Sequence, residues 1–274
     1  MYIKNIRSKN PLIHCITNYV TAVDVANALI ACGASPVMAD AVEEVAEVVA
    51  LSDALVINIG TLDEKSVVSM HAAIKEANRL CKIVVLDPVG VSISKFRQNS
   101  IKEFLLNYKF SVIKGNLSEI KFLAGEDSIS KGVDASLSDI KDSIDERVKI
   151  AQNLAQKTDA IVVITGEIDI ISDKNRSYIC KNGNAMMSQF TGSGCILSGL
   201  IAAFLAGNKD ITGKDLEVVS AAVSCEAIAG DLAKQRNILS KMGNMTFKTN
   251  LIDEIYLMND DKFNNFVKFE KFER

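Results

Sequence analysis

Thr191-Gly-Ser-Gly-Cys195 combines the residue types and spacing best suited to chemistry. Its two glycines let the backbone turn tightly and present consecutive amides. The apolar run over 196–205 predicts a helix whose positive dipole end would face the same spot. Amides of Gly192, Ser193, Gly194 and Cys195 placed in this way could hold the negative charge that develops on a phosphoryl group. A plain tight turn is the competing explanation. Cys195 opens the predicted helix, where the dipole and nearby amides depress a thiol's pKa. Starting from an ordinary value of about 8.5, such a thiol could take a proton from an alcohol. A buried, inert cysteine is the other reading.

Two carboxylates stand where a divalent cation could use them. Asp87 lies before Pro88, at the end of an apolar run, and Glu119 follows Lys114-Gly-Asn-Leu-Ser. Magnesium favours few carboxylates, several waters and phosphate oxygens. Each acid could instead cap a helix or sit in a salt bridge. Lys114 ends another apolar run and could meet phosphates as a point charge, or it could be a solvated strand end. His14 has no partner within its own segment and reads as a structural histidine. His71 lies in a charged helical stretch and reads as a surface residue.

These residues need elements to position them, and the pattern between them supplies candidates. Short apolar runs at 35–39, 54–59, 83–87, 111–114 and 160–165 are continuous rather than alternating, as in parallel strands buried on both faces. Longer stretches of helical period lie at 19–32, 42–51, 64–80, 145–156 and 196–205. Strand then helix, repeated, predicts βαβ units in an α/β fold. Ligands of open α/β sheets gather at the carboxyl ends of the strands. The residues just beyond the apolar runs therefore matter most: Met38 and Asp40, 58–61, 87–90, 114–119, and Thr165 with Gly166. There is no Gly-x-x-x-x-Gly-Lys-Ser/Thr loop and no Gly-x-Gly-x-x-Gly after the first strand, which counts against P-loop and dinucleotide-binding readings. The polar stretch 128–145 predicts an exposed excursion or connecting loop. The part after Thr191 reads as mostly helical, and 259–274 as a final short helix or a frayed end.

The 274 residues are 48% apolar and carry a net charge of −3, enough for a large core and without the basic surface that nucleic acid requires. No targeting segment and no membrane span are expected. Cys15, Cys32, Cys81, Cys180, Cys195 and Cys225 form no Cys-x-x-Cys pair, and reduced thiols in a cytoplasmic protein are the expectation. No linker or repeat divides the chain, so residues 1–274 are read as one domain.

Six segments in order carry a resemblance: His14-Cys-Ile-Thr-Asn-Tyr-Val20, Ala34-Ser-Pro-Val-Met-Ala-Asp40, Asn58-Ile-Gly-Thr61, Asp87-Pro-Val-Gly90, Gly115-Asn-Leu-Ser-Glu119 and Thr191-Gly-Ser-Gly-Cys195. Together, over residues 10–255, they resemble the hydroxyethylthiazole kinases. The resemblance implies a three-layer ribokinase-like fold, with a central, mostly parallel sheet flanked by helices on both faces. It implies ATP-dependent phosphorylation of the hydroxyl of 4-methyl-5-(2-hydroxyethyl)thiazole for thiamine synthesis or salvage, and a homotrimer with its pocket at the subunit interface. Met38 and Gly192 would contact the thiazole alcohol. Lys114 and Thr165 would contact ATP, with Asn116 counted beside them. Asn18, Asp87 and Glu119 would form the magnesium and phosphate cluster. Cys195 matches the position where related sugar and pyrimidine kinases carry an aspartate base. Two departures stand out. Lys114 replaces the family's usual arginine, and the turn usually rich in glycine and proline reads Met242-Gly-Asn-Met-Thr-Phe247. Competing readings are a kinase for another heterocyclic alcohol such as hydroxymethylpyrimidine, a nucleotide-dependent dehydratase, and a non-catalytic nucleotide-binding protein. A dehydrogenase is the weakest of them.

Overall fold

A computed structural model describes residues 1–126 and 143–273. Most of the stretch expected to be an excursion lies outside them. Nine strands form one sheet in the order β2-β1-β3-β4-β5-β6-β7-β8-β9. Strands β1 (Leu12–Ile16), β2 (Ser35–Val37), β3 (Ala54–Asn58), β4 (Ile83–Asp87), β5 (Val112–Asn116) and β6 (Ile161–Thr165) run parallel. Except in the edge strand β2, their interiors are almost wholly buried, which is why they read as continuous apolar runs. An antiparallel meander then extends the sheet through β7 (Asp169–Ser172), β8 (Ser177–Cys180) and the short edge strand β9 (Phe269–Lys271).

Helices cover both faces. One face carries α1 (Tyr2–Lys9), α2 (Ala22–Cys32), α8 (Ser193–Gly207), α9 (Asp215–Ser240), α10 (Asn244–Tyr256) and α11 (Asp260–Phe266) around a core that includes Leu29, Leu200, Phe204 and Phe247. The other carries α3 (Val45–Leu51), α4 (Glu64–Arg79), α5 (Lys95–Asn107), α6 (Leu117–Ala124) and α7 (Ile144–Thr158) around Leu55, Ile74, Phe104 and Leu154. The three-layer architecture expected from the resemblance is present.

Local chemistry sets the helix starts. Asp63 accepts the Ser66 amide at 2.7 Å to begin α4, and Asn116 accepts the Glu119 amide at 2.9 Å to begin α6. Helix α8 is buried from Cys195 onward because Gly199 and Gly207 let its neighbours approach. A Cβ on Gly207 would lie 2.9 Å from the Ile6 Cα of α1.

Of the two endings expected for 259–274 the short helix is present as α11, and β9 follows it, paired with β8. One expectation is corrected. His71 is not a free surface residue: its ring meets Phe104 edge-on at 4.8 Å, and its Nδ1 lies 3.1 Å from the Tyr108 hydroxyl. In the departing turn 242–247, Gly243 stands at the start of α10.

Candidate active site

All six parallel strands deliver their carboxyl ends to one edge. Asn18, Met38, Asn58, Asp87, Lys114, Asn116 and Thr165 all lie at or just beyond those ends, and Asn58 sits in register with Asp87 and Asn116 with Thr165. The amino end of α8 arrives at the same edge, tied there by a 2.9 Å hydrogen bond from Lys114 Nζ to the Gly194 carbonyl.

Asp87 is the hub. Its Oδ2 accepts three donors: Asn58 Nδ2 at 2.8 Å, Ser198 Oγ at 2.8 Å and Lys114 Nζ at 3.0 Å. Its Oδ1 is buried and has no partner. The solvated strand-end reading of Lys114 is therefore overturned, since the side chain is 4% exposed and paired. Burial works against its ammonium, but Asp87, then Cys195 and Glu119, raise its pKa and keep it charged. Truncating one partner of such a buried pair costs about 3–5 kcal/mol, because the other charge is left bare.

Glu119 does cap a helix. Its Oε2 accepts the Asn116 amide at 2.8 Å, and its Oε1 reaches over to the Gly90 amide at 2.8 Å. Burial, with Asp87 adding to it, pushes its carboxyl up to about 7. Gly90 takes φ +65°, which favours glycine at the turn after β4. Asn18 lies over the turn after β3: its Oδ1 accepts the Val20 amide at 2.9 Å, and its Nδ2 would lie 2.5 Å from a Cβ on Gly60.

Gly192, at φ +113°, makes the turn into α8 that its sequence suggested, and as a glycine it gives that helix no side-chain cap. Cys195 is buried, with Asn58 Nδ2 3.3 Å from its sulfur. Its pKa differs from the sequence expectation. Burial first, then the Asp87 charge, pushes the thiol up rather than down, against opposing pulls from Lys114, Thr21 and Asn58.

Met38 is half-buried and packs on the α8 side of the sheet. Its segment is held by His14, whose Nε2 lies 2.7 Å from the Ala39 carbonyl, while the buried Nδ1 of His14 has no partner. The Thr165 hydroxyl donates to the Gly115 carbonyl at 3.3 Å.

Four residues of this edge escaped the motif reading. Ser198 follows Cys195 by three positions on the same helix, a spacing that could have flagged it. Arg97 ties the turns after β3 and β4 together through the carbonyls of Ile59, Gly60 and Val89, and nothing in its local sequence signals this. Thr21 packs its methyl against Gly192. Glu226 is buried on α9 with the Ser193 hydroxyl 3.3 Å away, and burial lifts its carboxyl to about 8. A lone acid in the otherwise small and apolar stretch 218–230 was its signal.

Chemistry is concentrated at this edge, although a cavity of about 700 Å³ opens at the opposite one, among Lys82, Lys109, Lys174 and Lys209. Three of those lysines already bond protein groups: Lys82 the Ala50 and Ser52 carbonyls, Lys174 the Asp159 carboxylate and Lys209 that of Asp53.

A mostly parallel sheet that brings a glycine-led helix start, a buried acid–lysine pair and a polar strand-end rim to one edge defines a small-molecule kinase of ribokinase-like architecture. A ribokinase-like superfamily protein from Enterococcus faecalis shares the fold at a TM-score of 0.60 and 16% identity, over 93% of this chain and 88% of that one. The sequence model of the hydroxyethylthiazole kinase family matches residues 3–261, and the chain belongs to that family. The hydroxyethylthiazole kinase of Clostridium acetobutylicum is 45% identical over 98% of both chains. A solved structure of hydroxyethylthiazole kinase from Pyrococcus horikoshii is 36% identical, with a TM-score of 0.86 over 99% of this chain and 98% of that one. The chain is accordingly a phosphotransferase with an alcohol group as acceptor. Among the described residues, no helix is long and apolar enough to cross a membrane.

Proposed function

We propose that this protein transfers the γ-phosphoryl group of ATP to the hydroxyl of 4-methyl-5-(2-hydroxyethyl)thiazole, with Cys195 as general base. The observation that carries the proposal is the meeting of Cys195, the uncapped start of α8 and the Asp87–Lys114 pair at one sheet edge.

The alcohol oxygen attacks the γ-phosphorus while its proton passes to Cys195 in its thiolate form, which leaves the step as the neutral thiol. The bond from that phosphorus to the bridging oxygen breaks, and ADP leaves with the electron pair. Amides of residues 192–195 face the transferring oxygens and stabilise their charge without reorganising. Lys114 keeps a third ammonium proton beyond its bonds to Asp87 and Gly194, and directs it to phosphate, with Thr165 and Asn116 on the neighbouring strand ends. Met38 and Gly192 hold the thiazole alcohol.

The residues fit a magnesium ion. Asp87 Oδ1 is buried without a hydrogen-bond partner among the described residues, the Asp87 charge raises the cost of ionising Glu119, and all the donors are hard oxygens. Asp87, Glu119 and Asn18 would hold the ion, Asp87 and Glu119 through water. When bound, it would offset phosphate charge. The exposed apolar residues Tyr19, Val20 and Val23 flank Asn18 and suit burial against a second copy, in line with a homotrimer that closes the site.

Cys195 tests the mechanism. Cys195→Asp should retain substantial kcat, and Cys195→Ser should lose about 10²–10⁴-fold. A Ser variant matching wild type removes the base assignment.

A further inference from the structure

We propose that Asn58 is a positioning residue for the transfer step, whose carboxamide holds the Cys195 sulfur in place for the incoming alcohol. This rests on the reading of Cys195 as base and extends it to a residue with no charge and no titration of its own.

The geometry assigns each hydrogen-bonding position of the amide. Asn58 is 2% exposed and ends β3 in register with Asp87. Its Oδ1 accepts the Gly60 amide at 2.8 Å, which settles which end of the carboxamide is oxygen. The Nδ2 group therefore faces the site, with two protons and two acceptors: Asp87 Oδ2 at 2.8 Å and Cys195 Sγ at 3.3 Å. Asp87 cannot swing away to release that amide, because Lys114 and Ser198 bind the same oxygen. The side chain is thus fixed at two points that do not include the sulfur, and its remaining proton is aimed at the sulfur.

A thiol otherwise rotates about its Cα–Cβ bond among staggered positions. A donor anchored to the sheet selects one of them. On the thiolate it occupies one lone pair and leaves others for the alcohol proton. Placement of this kind is worth orders of magnitude in rate, because transfer needs the reacting atoms within about 3–3.5 Å.

A purely structural Asn58, closing the turn after β3 through Gly60, would make different predictions. Steady-state kinetics of the full-length protein separate the two in four variants: Asn58→Ala, Asn58→Leu, Cys195→Ser and the Asn58→Ala/Cys195→Ser double. Asn58→Leu keeps the volume, offers no proton and sets no second carboxyl against Asp87, so it removes the donor without adding charge even if the alanine variant folds poorly. Both Asn58 variants should lower kcat by about 10–100-fold while each KM stays within about threefold. In the Cys195→Ser background, Asn58→Ala should cost less than about threefold more, since the group it positions is gone. Equal losses in both backgrounds, a change confined to KM, or wild-type kcat in Asn58→Leu overturns the role of Asn58 alone. A Cys195→Ser enzyme at the wild-type rate overturns the base reading itself.

Discussion

Asp87 receives three donors on one oxygen, so the choice of substitution at this residue decides what is learned. Asp87→Ala would strand the buried Lys114 charge and cost about 3–5 kcal/mol in stability, confusing folding with catalysis. Asp87→Asn keeps the shape but also leaves the Lys114 ammonium without its counter-charge, so it should lower kcat by about 10²-fold or more together with the melting temperature, as read by activity and thermal denaturation together. Cys195 gives a pH signature. Its thiol is pushed upward by burial and by Asp87, so the thiolate fraction, and kcat with it, should climb by up to about tenfold per pH unit above neutrality. Cys195→Asp should abolish that climb, and a flat wild-type profile would contradict the assignment. Asp87, Lys114, Glu119 and Cys195 were legible because they follow apolar runs or glycine turns. The direction of the Cys195 shift was not, since a helix start is visible in sequence whereas burial by Asn58, Thr21 and the sheet is tertiary.

Elements deliver these residues through close approaches that single methyl groups can block. In α8, replacing Gly207 with alanine should gain about 1 kcal/mol of helix propensity. A Cβ there would meet Ile6 of α1 at 2.7 Å from its side chain and 2.9 Å from its backbone. Overpacking of this kind costs about 1–3 kcal/mol, so Gly207→Ala should be destabilised on balance, with a lower denaturant midpoint and an unchanged slope. An increase in stability would show that α1 can move aside. The parallel strands could be read from their apolar runs, and α4, α7 and α8 from their period. Strands β7, β8 and β9 could not, because they are only four, four and three residues long and their pairing is set by the sheet already built. Strand β1 was visible only within the segment around His14, and α1 is too short and polar to show a clear period.

At the scale of the whole molecule, the sheet edge collects buried acids around one lysine. Glu226 is the clearest case for linkage. Its carboxyl lies near 8 in the folded chain against an ordinary 4.5, so the folded state holds a proton that the unfolded state releases between those values. The stability it contributes is complete below about pH 4.5 and is lost as pH rises through about 8, at about 1.4 kcal/mol per pH unit between them. Wild type should therefore lose on the order of 2 kcal/mol between about pH 6 and pH 8 relative to Glu226→Gln, measured by denaturant titration of both. Parallel curves for the two proteins would place the Glu226 proton elsewhere. The central claim, a thiazole alcohol accepting phosphate at the β-strand ends, is met most directly by a coupled assay of ADP release with Mg-ATP. Hydroxyethylthiazole, hydroxymethylpyrimidine and no acceptor would run side by side. The account predicts ADP release that depends on the thiazole alcohol and is at least about tenfold weaker with the pyrimidine. Turnover with the pyrimidine but not the thiazole, or none with any acceptor, would contradict it.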